Sequence, residues 1–276
     1  GRVSLEPAVE HRRGEPRDEP RDGEQGRREQ EVEGGPRPLH RLDARLRGER
    51  APDEARRVRD GEDRAERRAD EGDPAPGLGA EARAASLGTR SIKTTSKAWA
   101  IDTAISMIDL TTLEGADTPG RVRGLATRAL TPDPSDLTTP RPAAVCVYGD
   151  MVGHAKDVLG DSGVKVAAVA TAFPSGRASM PVKLADTTDA VSAGADEIDM
   201  VIDRGAFLSG DYLTVFDQIV AVKEACARND GTRARLKVIM ETGELVTYDN
   251  VRRASYLSML AGGDFIKTST GKVQPA

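Results

Sequence analysis

The chain has 276 residues, of which 31% are charged and only 3% are aromatic, and its formal net charge is -5. This length allows one large domain or two small ones. A net charge this small argues against nucleic acid or an acidic surface as the main partner.

The two cysteines, Cys146 and Cys226, are far apart and form no Cys-x-x-Cys motif. The sequence therefore predicts neither a disulfide framework nor a zinc site, and this cysteine usage suits a reducing cytoplasm. It also contains no apolar stretch long enough to span a bilayer and no signal-peptide pattern, so no membrane partner is expected.

Residues 1–80 differ in composition from the rest of the chain, because they contain no Phe, Trp, Tyr or Lys and alternate arginines with acids. Their isolated apolar residues cannot bury enough surface to offset the entropy of ordering, so we interpret the segment as disordered. A nucleic-acid-binding arm is less well supported, since no aromatic side chain is available to stack on bases. A third hypothesis, based on arginine usage without lysine, is that the segment is non-native. Residues 81–276 are the predicted folded domain.

From about residue 85 the pattern changes to alternating helices and strands. Thr118 followed by Pro119 is a typical N-cap with proline at the first helical position, which predicts a helix that ends near Leu130. Further helices are predicted from apolar spacing at 98–108, 151–159, 182–193, 213–226 and 251–260. Strands are predicted at 109–113, 143–148, 164–173, 197–202, 236–240 and in the run that ends at Lys267.

Strands that alternate with helices in this way form a parallel sheet. The runs at 143–148 and 164–173 are continuously apolar, as expected for strands that are covered on both faces. Polar residues gather where the strands end, which is where (β/α) barrels keep their chemistry. A doubly wound open sheet fits the alternation nearly as well, but no strand is followed by a Gly-x-Gly-x-x-Gly turn, so no dinucleotide cofactor is expected.

The stretch from Asp264 to Lys272 is the strongest candidate site. The apolar pair Phe265-Ile266 ends at Lys267, and a Thr-Ser-Thr-Gly turn leads to Lys272. A lysine at the carboxyl end of a parallel strand can form a Schiff base with a carbonyl substrate. The small residues after it can surround a phosphate with hydroxyl and N–H groups. The alternative is a strand-end lysine whose ammonium simply reaches water.

Six stretches at these strand ends resemble deoxyribose-phosphate aldolase, a family of class I aldolases with a TIM-barrel fold. They lie in the family's order within about 79–273, at 107–113, 144–148, 170–176, 194–201, 236–245 and 264–272. The resemblance implies an α/β fold of the (β/α)8 TIM-barrel type in residues 81–276. About six of the eight βα units are present in this sequence.

This family reversibly cleaves 2-deoxy-D-ribose 5-phosphate to acetaldehyde and D-glyceraldehyde 3-phosphate in deoxynucleoside breakdown, and its imine mechanism needs no metal or other cofactor. The resemblance implies that Lys267 forms the Schiff base and that Asp199 relays protons to and from the enamine carbon. It also assigns substrate-binding positions, which are Asp109, Thr111, Cys146, Lys237, Thr270, Gly271 and Lys272.

Structural roles remain open for several of these residues. Asp199 lies in a buried strand and needs a cationic partner whether or not it is catalytic. Cys146 is compatible with a small apolar core residue, which requires no chemical role. Glu241 is interpreted as structural and His154 as a surface residue.

The sequence departs from the family in two places. Gly149 stands where the family has proline, and the sequence stops at Ala276 without the two further βα units that bring a second lysine. Six strands do not close an eight-stranded barrel. A lysine with an ordinary pKa of about 10.4 is neutral in only roughly one molecule in a few thousand at pH 7, and the ammonium that would depress the pKa of Lys267 is missing. We therefore predict that the 276-residue product is poorly folded and nearly inactive.

Two other interpretations stay open. One is an inactive remnant of the aldolase, and the other is a different Schiff-base barrel enzyme such as a transaldolase, which would differ in its substrate. The expected partner is a small phosphorylated sugar, a homodimer is possible, and the expected location is the cytoplasm.

Overall fold

Residues 77–273 are described by a computed structural model, in which six strands alternate with helices. The strands are β1 (Asp109–Thr111), β2 (Ala144–Tyr148), β3 (Lys165–Ala170), β4 (Glu197–Val201), β5 (Arg235–Ile239) and β6 (Phe265–Lys267). All six predicted strands are confirmed. The interpretation of residues 1–80 as disordered falls almost entirely outside the described residues and remains a prediction.

Two helices precede β1, and the others lie in the connections between the strands or before β6. They are α1 (Gly77–Gly88), α2 (Thr94–Ser106), α3 (Pro119–Leu130), α4 (Val152–Leu159, after a 3-10 turn at Gly149–Met151), α5 (Met180–Ser192), α6 (Arg204–Leu208), α7 (Tyr212–Ala225), α8 (Thr242–Leu245) and α9 (Tyr248–Leu260). The sequence pattern predicts none of α1, α6 and α8. Helices α6 and α8 are about one turn long, too short to show a helical period.

Every strand pairs in parallel with the next strand along the chain, in the order β1-β2-β3-β4-β5-β6. A doubly wound sheet reverses its strand order at a switch point, so that alternative is wrong. The sheet is curved, because Lys237 Nζ of β5 lies 2.5 Å from Asp109 Oδ2 of β1 across its concave side. The described residues thus form a partial TIM barrel of six strands, as predicted.

The two faces of the sheet carry different side chains, since successive residues of a strand point to opposite sides. Outward-facing residues such as Val145, Ile198 and Leu236 are fully buried in the main core, against the helices. Inward-facing residues such as Cys146 and Ala167 form a separate small cluster inside the curved sheet. Because these inner side chains are small, the concave side has room for long charged ones.

The helices differ in how well they are packed. Helix α3 begins as predicted, with the Thr118 hydroxyl accepting a hydrogen bond from Arg121 N at 3.2 Å. Helix α2 is also confirmed, but none of its residues is buried, and Trp99 is 69% exposed. No helix within residues 77–273 has the length and apolar character needed to cross a membrane.

At the amino ends of the strands, two aspartates make the same pair of contacts, each with a backbone N–H of the neighbouring strand and with a lysine of a helix. Asp196, just before β4, accepts a hydrogen bond from Val166 N of β3 and pairs with Lys156 of α4 at 2.6 Å. Asp264, just before β6, accepts from Leu236 N of β5 and pairs with Lys223 of α7. This edge therefore serves stability, which leaves the carboxyl edge for chemistry.

Candidate active site

Lys267 and Asp199 meet on the concave side of the sheet. Lys267 is the last residue of β6, and its Nζ lies 2.5 Å from Asp199 Oδ2 of β4. The Asp199 side chain is fully buried, whereas that of Lys267 is 28% exposed. The structure thus brings together the two residues that the resemblance singles out, with the amine accessible from solvent.

Lys237 of β5 lies beside this pair and joins three carboxylates. Its Nζ is 2.5 Å from Asp109 Oδ2, 2.9 Å from Glu197 Oε2 and 3.2 Å from Asp199 Oδ1. Asp199 Oδ1 lies within ion-pair distance of Lys237 but makes no hydrogen bond to any described residue. We therefore treat that contact as an ion pair, which leaves a buried carboxylate oxygen available as an acceptor.

The protonation of both lysines is controlled by this cluster. Burial acts to lower the pKa of Lys267, but the charge and hydrogen bond of Asp199 outweigh it and hold that pKa above the ordinary lysine value. Burial likewise opposes the charge on Lys237, yet Asp199 and Asp109 raise its pKa further. Lys267 is accordingly held as an ammonium, which must lose a proton before it can attack a carbonyl.

Cys146 of β2 lies against the same carboxylate. Its side chain is fully buried, and its Sγ is 3.7 Å from Asp199 Oδ2. Burial, reinforced by the charge of Asp199, raises the pKa of the Cys146 thiol to about 12. The thiol is therefore neutral at ordinary pH and acts as a small filler and weak donor to Asp199.

The turn after β6 is organised by Glu241, a fully buried residue that follows β5. Its carboxylate accepts hydrogen bonds from both the backbone N–H and the hydroxyl of Thr270. The same hydroxyl accepts from Lys272 N at 3.0 Å. Thr270 therefore shapes the turn, and its predicted contact with a substrate remains a prediction.

Gly271 and Lys272 complete this turn at the carboxyl edge. Gly271 has a φ of 73°, a left-handed conformation that favours glycine. Lys272 Nζ lies 2.8 Å from Glu114 Oε1 in the loop after β1. Thr111 lies at the end of β1, where its hydroxyl donates to Asp109 O at 2.8 Å.

Sequence reasoning misses two acids of the site, Glu197 and Glu114, and the partner of a third, Glu241. Glu197 lies two residues before Asp199 and so shares its strand face, a signal that the alternation of β4 already contains. The sequence analysis interprets Glu241 as structural but does not identify Thr270 as its partner. It does not single out Glu114. Their partners are distant in the chain, so no local pattern indicates them.

A cavity on the same edge is lined by neither Lys267 nor Asp199. It has a volume of about 690 Å³ and lies between the ends of β2 and β3 and helix α5, where Tyr148, Phe173 and Asp189 contribute to its wall. His154 also lines it, and its Nδ1 lies 3.2 Å from Arg123 Nη2. We place the candidate active site at the Lys267 cluster and not in this cavity, because ionisable groups with shifted pKa values indicate a functional site more strongly than cavity size does.

A parallel barrel fold with a lysine–carboxylate pair at its carboxyl edge defines a class of protein suited to imine chemistry on carbonyl compounds. The sequence model of the DeoC/LacD family aldolase matches residues 103–275. This match covers more than half of the chain, which therefore belongs to the DeoC/LacD aldolase family.

Individual relatives agree with this assignment. A curated relative from Caenorhabditis elegans is 45% identical over 170 residues, which cover 61% of this chain and 54% of the relative. The deoxyribose-phosphate aldolase of Homo sapiens is 42% identical over 188 residues, which cover 63% of this chain and 56% of the human protein. A crystal structure from Coccidioides immitis superposes with a TM-score of 0.55 at 33% identity, covering 63% of each chain. This chain spans about half the length of the curated relatives it matches.

Proposed function

We propose that this chain carries the imine-forming site of an aldolase that reversibly cleaves 2-deoxy-D-ribose 5-phosphate to acetaldehyde and D-glyceraldehyde 3-phosphate. The observation that carries the proposal is the contact between Lys267 Nζ and Asp199 Oδ2 inside the sheet. The proposal is further supported by the family match and by the human relative, whose name states this activity.

Catalysis begins when neutral Lys267 attacks the aldehyde carbon of the open-chain sugar. The adduct takes up a proton and loses water to give an iminium, which is a better electron acceptor than the aldehyde. A base then removes the proton of the C3 hydroxyl, the C2–C3 bond breaks, and its electrons move into the iminium to give an enamine. The C3 fragment leaves as D-glyceraldehyde 3-phosphate.

The second half returns the amine. The enamine carbon takes a proton to form the iminium of acetaldehyde, and water hydrolyses this iminium to acetaldehyde and free Lys267. Asp199 is the residue we assign to these proton movements, because it contacts Lys267 Nζ through Oδ2 and has Oδ1 free of hydrogen bonds to the described residues. Lys237 holds Asp199 in place.

Substrate recognition is assigned to the remaining predicted residues. The ammonium of Lys272 and the N–H groups of the turn around Gly271 suit the phosphate. We assign Asp109 and Thr111 of β1 and Cys146 of β2 to the sugar, because they share the concave side of the sheet with Lys267. This recognition of a small phosphorylated sugar remains a proposal, as does the finer assignment of each contact.

Because the pKa of Lys267 is raised, its amine is rarely uncharged at pH 7. Imine formation at that pH should therefore be slow. The same observation supports the second candidate, a remnant that keeps the barrel pattern without turnover. The two differ in whether Lys267 forms an imine at all.

Borohydride trapping with acetaldehyde separates these candidates. The expected result is an N-ethyl group on Lys267, located by peptide mass spectrometry and absent from the Lys267→Arg variant. An unmodified Lys267 at alkaline pH, where the amine is neutral, would support the remnant. Turnover is measured separately, as release of D-glyceraldehyde 3-phosphate from 2-deoxy-D-ribose 5-phosphate.

The family assignment also supports a role in deoxynucleoside breakdown in the cytoplasm. A homodimer stays a prediction, which light scattering of the purified chain tests directly.

A further inference from the structure

An ion pair closes the gap between the two ends of the described sheet. Lys272, in the turn after β6, donates to Glu114, in the loop after β1, with Nζ and Oε1 2.8 Å apart. The Lys272 side chain is 29% exposed and that of Glu114 is 58% exposed. The carboxylate therefore sits on the ammonium that the proposed function assigns to the substrate phosphate.

Both members of the pair are anchored through their backbones. Lys272 N donates to the Thr270 hydroxyl, which is itself bound to buried Glu241. Glu114 N donates to Asp117 Oδ2 at 2.9 Å, and the same carboxylate accepts from the Thr112 hydroxyl. The two charges are thus presented to each other by ordered turns, which is unlike a chance meeting of two long surface side chains.

The charge and position of Glu114 match those of a phosphate ligand. A carboxylate and a phosphate both offer anionic oxygens to a lysine ammonium, and a phosphate that binds Nζ beside Glu114 would bring two like charges together. An exposed ion pair is weak, so a phosphate dianion can open it at small cost. Once opened, the Glu114 carboxylate would face the phosphate as a like charge, unless its side chain turns away.

We propose that Glu114 is a specificity-determining residue that occupies Lys272 in the free chain and must be displaced by the phosphate of the substrate. This inference rests on the proposed function, since it takes Lys272 as the phosphate-binding residue. Glu114 weakens the binding of phosphorylated sugars and leaves unphosphorylated ones unaffected. The chain therefore prefers phosphorylated over unphosphorylated sugars less strongly than it would if Glu114 did not pair with Lys272.

The test compares Glu114→Gln with the parent chain in borohydride trapping at Lys267. The half-saturating concentration of 2-deoxy-D-ribose 5-phosphate should fall about two- to fivefold, a size typical of one exposed ion pair. That of unphosphorylated 2-deoxy-D-ribose should not change. The gain should shrink as salt is added, because the charges are exposed.

A matched control separates this effect from a general change in charge. Glu81→Gln removes the same charge from exposed helix α1 and should leave both half-saturating concentrations unchanged. Equal improvement for both sugars in Glu114→Gln, or no improvement for the phosphorylated one, overturns the inference.

Inorganic phosphate provides a readout that needs no imine. In amide NMR spectra, Gly271 and Lys272 should shift on titration with phosphate, at a lower midpoint in Glu114→Gln than in the parent chain. If trapping fails with every sugar and with acetaldehyde but this difference appears, the proposed function fails and the role of Glu114 stands. If Lys272 does not respond to phosphate in either chain, the role of Glu114 is refuted.

Discussion

In the proposed mechanism, Asp199 has two tasks with opposite effects on Lys267. Its Oδ2 contacts the amine of Lys267 and the thiol of Cys146, and its Oδ1 faces Lys237. As a proton relay it must exchange protons with the reacting carbon, but its charge also stabilises the ammonium of Lys267. In the proposed mechanism, imine formation is therefore slowed by a carboxylate that the later steps require.

Replacing Asp199 with asparagine should separate these tasks. Since the carboxylate is the main group that raises the pKa of Lys267 against burial, its removal should lower that pKa. The pH midpoint of acetaldehyde trapping at Lys267 should then move to lower pH, while turnover of the sugar phosphate should fall about 10²- to 10⁴-fold with loss of the relay. Trapping rates across the alkaline range, measured beside turnover, check both effects. An unchanged midpoint would mean that Asp199 does not control the amine.

Lys237 should dominate the alkaline stability of the fold. Its pKa is raised on folding, so its contribution is fully present below the unfolded value of about 10.4 and is lost as pH rises through the higher folded value. Lys237→Met should cost about 3–5 kcal/mol at neutral pH, because Asp109 and Glu197 lose the ammonium they share and buried Asp199 keeps Lys267 alone of its two cations. The loss of stability above pH of about 10.4 should be shallower in the variant than in the parent chain.

Denaturant unfolding at neutral and alkaline pH measures both quantities. Lys165→Met is the control, because Lys165 is an exposed lysine at the start of β3. If the free energy of unfolding fell equally at alkaline pH in the parent chain and in Lys237→Met, Lys237 would not be the group that controls alkaline stability.

Among the connecting elements, the loop after β3 is held closely against the end of β4. Gly176 has a φ of 71°, and a Cβ at this position would lie 2.6 Å from Ile202 O. Arg204 of α6 donates to Ser175 O in the same loop at 2.9 Å and pairs with Glu241 at 3.5 Å. Helix α6, which no periodicity indicates, thus connects the ends of β3, β4 and β5.

Gly176→Ala should destabilise the chain by about 2 kcal/mol or more, since it combines a left-handed residue with a backbone clash. Gly124→Ala is the matched control, because Gly124 lies on the exposed side of α3 with nothing within 4 Å of the added Cβ. That substitution should stabilise the helix by about 0.5–1 kcal/mol. Equal free energies of unfolding for the two variants would show that the Gly176 loop adapts freely.

For the molecule as a whole, the described sheet has two edges, β1 and β6. The β6 edge carries exposed apolar residues, with Phe265 46% and Ile266 38% exposed, and Leu260 of neighbouring α9 is 42% exposed. Exposed apolar groups beside an unpaired strand edge promote association between chains. We therefore expect chains to associate through the β6 edge.

Ile266→Lys should reduce this association, because a lysine on an edge strand opposes edge-to-edge pairing. Light scattering over a range of chain concentrations should show a smaller apparent mass for the variant than for the parent chain. Val182→Lys is the control, since Val182 is also exposed but lies on helix α5. If both variants behave like the parent chain, the β6 edge is not the site of association.

Much of this architecture can be predicted from the sequence, because buried parallel strands produce apolar runs that are easy to read. The strands ending at Tyr148 and Lys267 show this, and so does the N-cap at Thr118. Helix α2 shows the limit: its apolar spacing is correct, but Trp99 is exposed, because periodicity indicates a face and not its partner. The contacts of Glu241 and Glu114 could not be predicted, since each joins residues far apart in the chain.

The alternation of charged and apolar residues along β4 and β5 has a consequence for how the sheet assembles. Asp199 pairs in register with Lys237, while Ile198 and Leu236, their neighbours in the chain, face the helices. A shift of the strand register by one residue would bury the carboxylate of Asp199 or the ammonium of Lys237 in the hydrophobic core between the sheet and the helices. There the charged group would have no counter-charge. The ion pairs thus favour the register that the structure shows, and the same register places Lys267 Nζ beside Asp199.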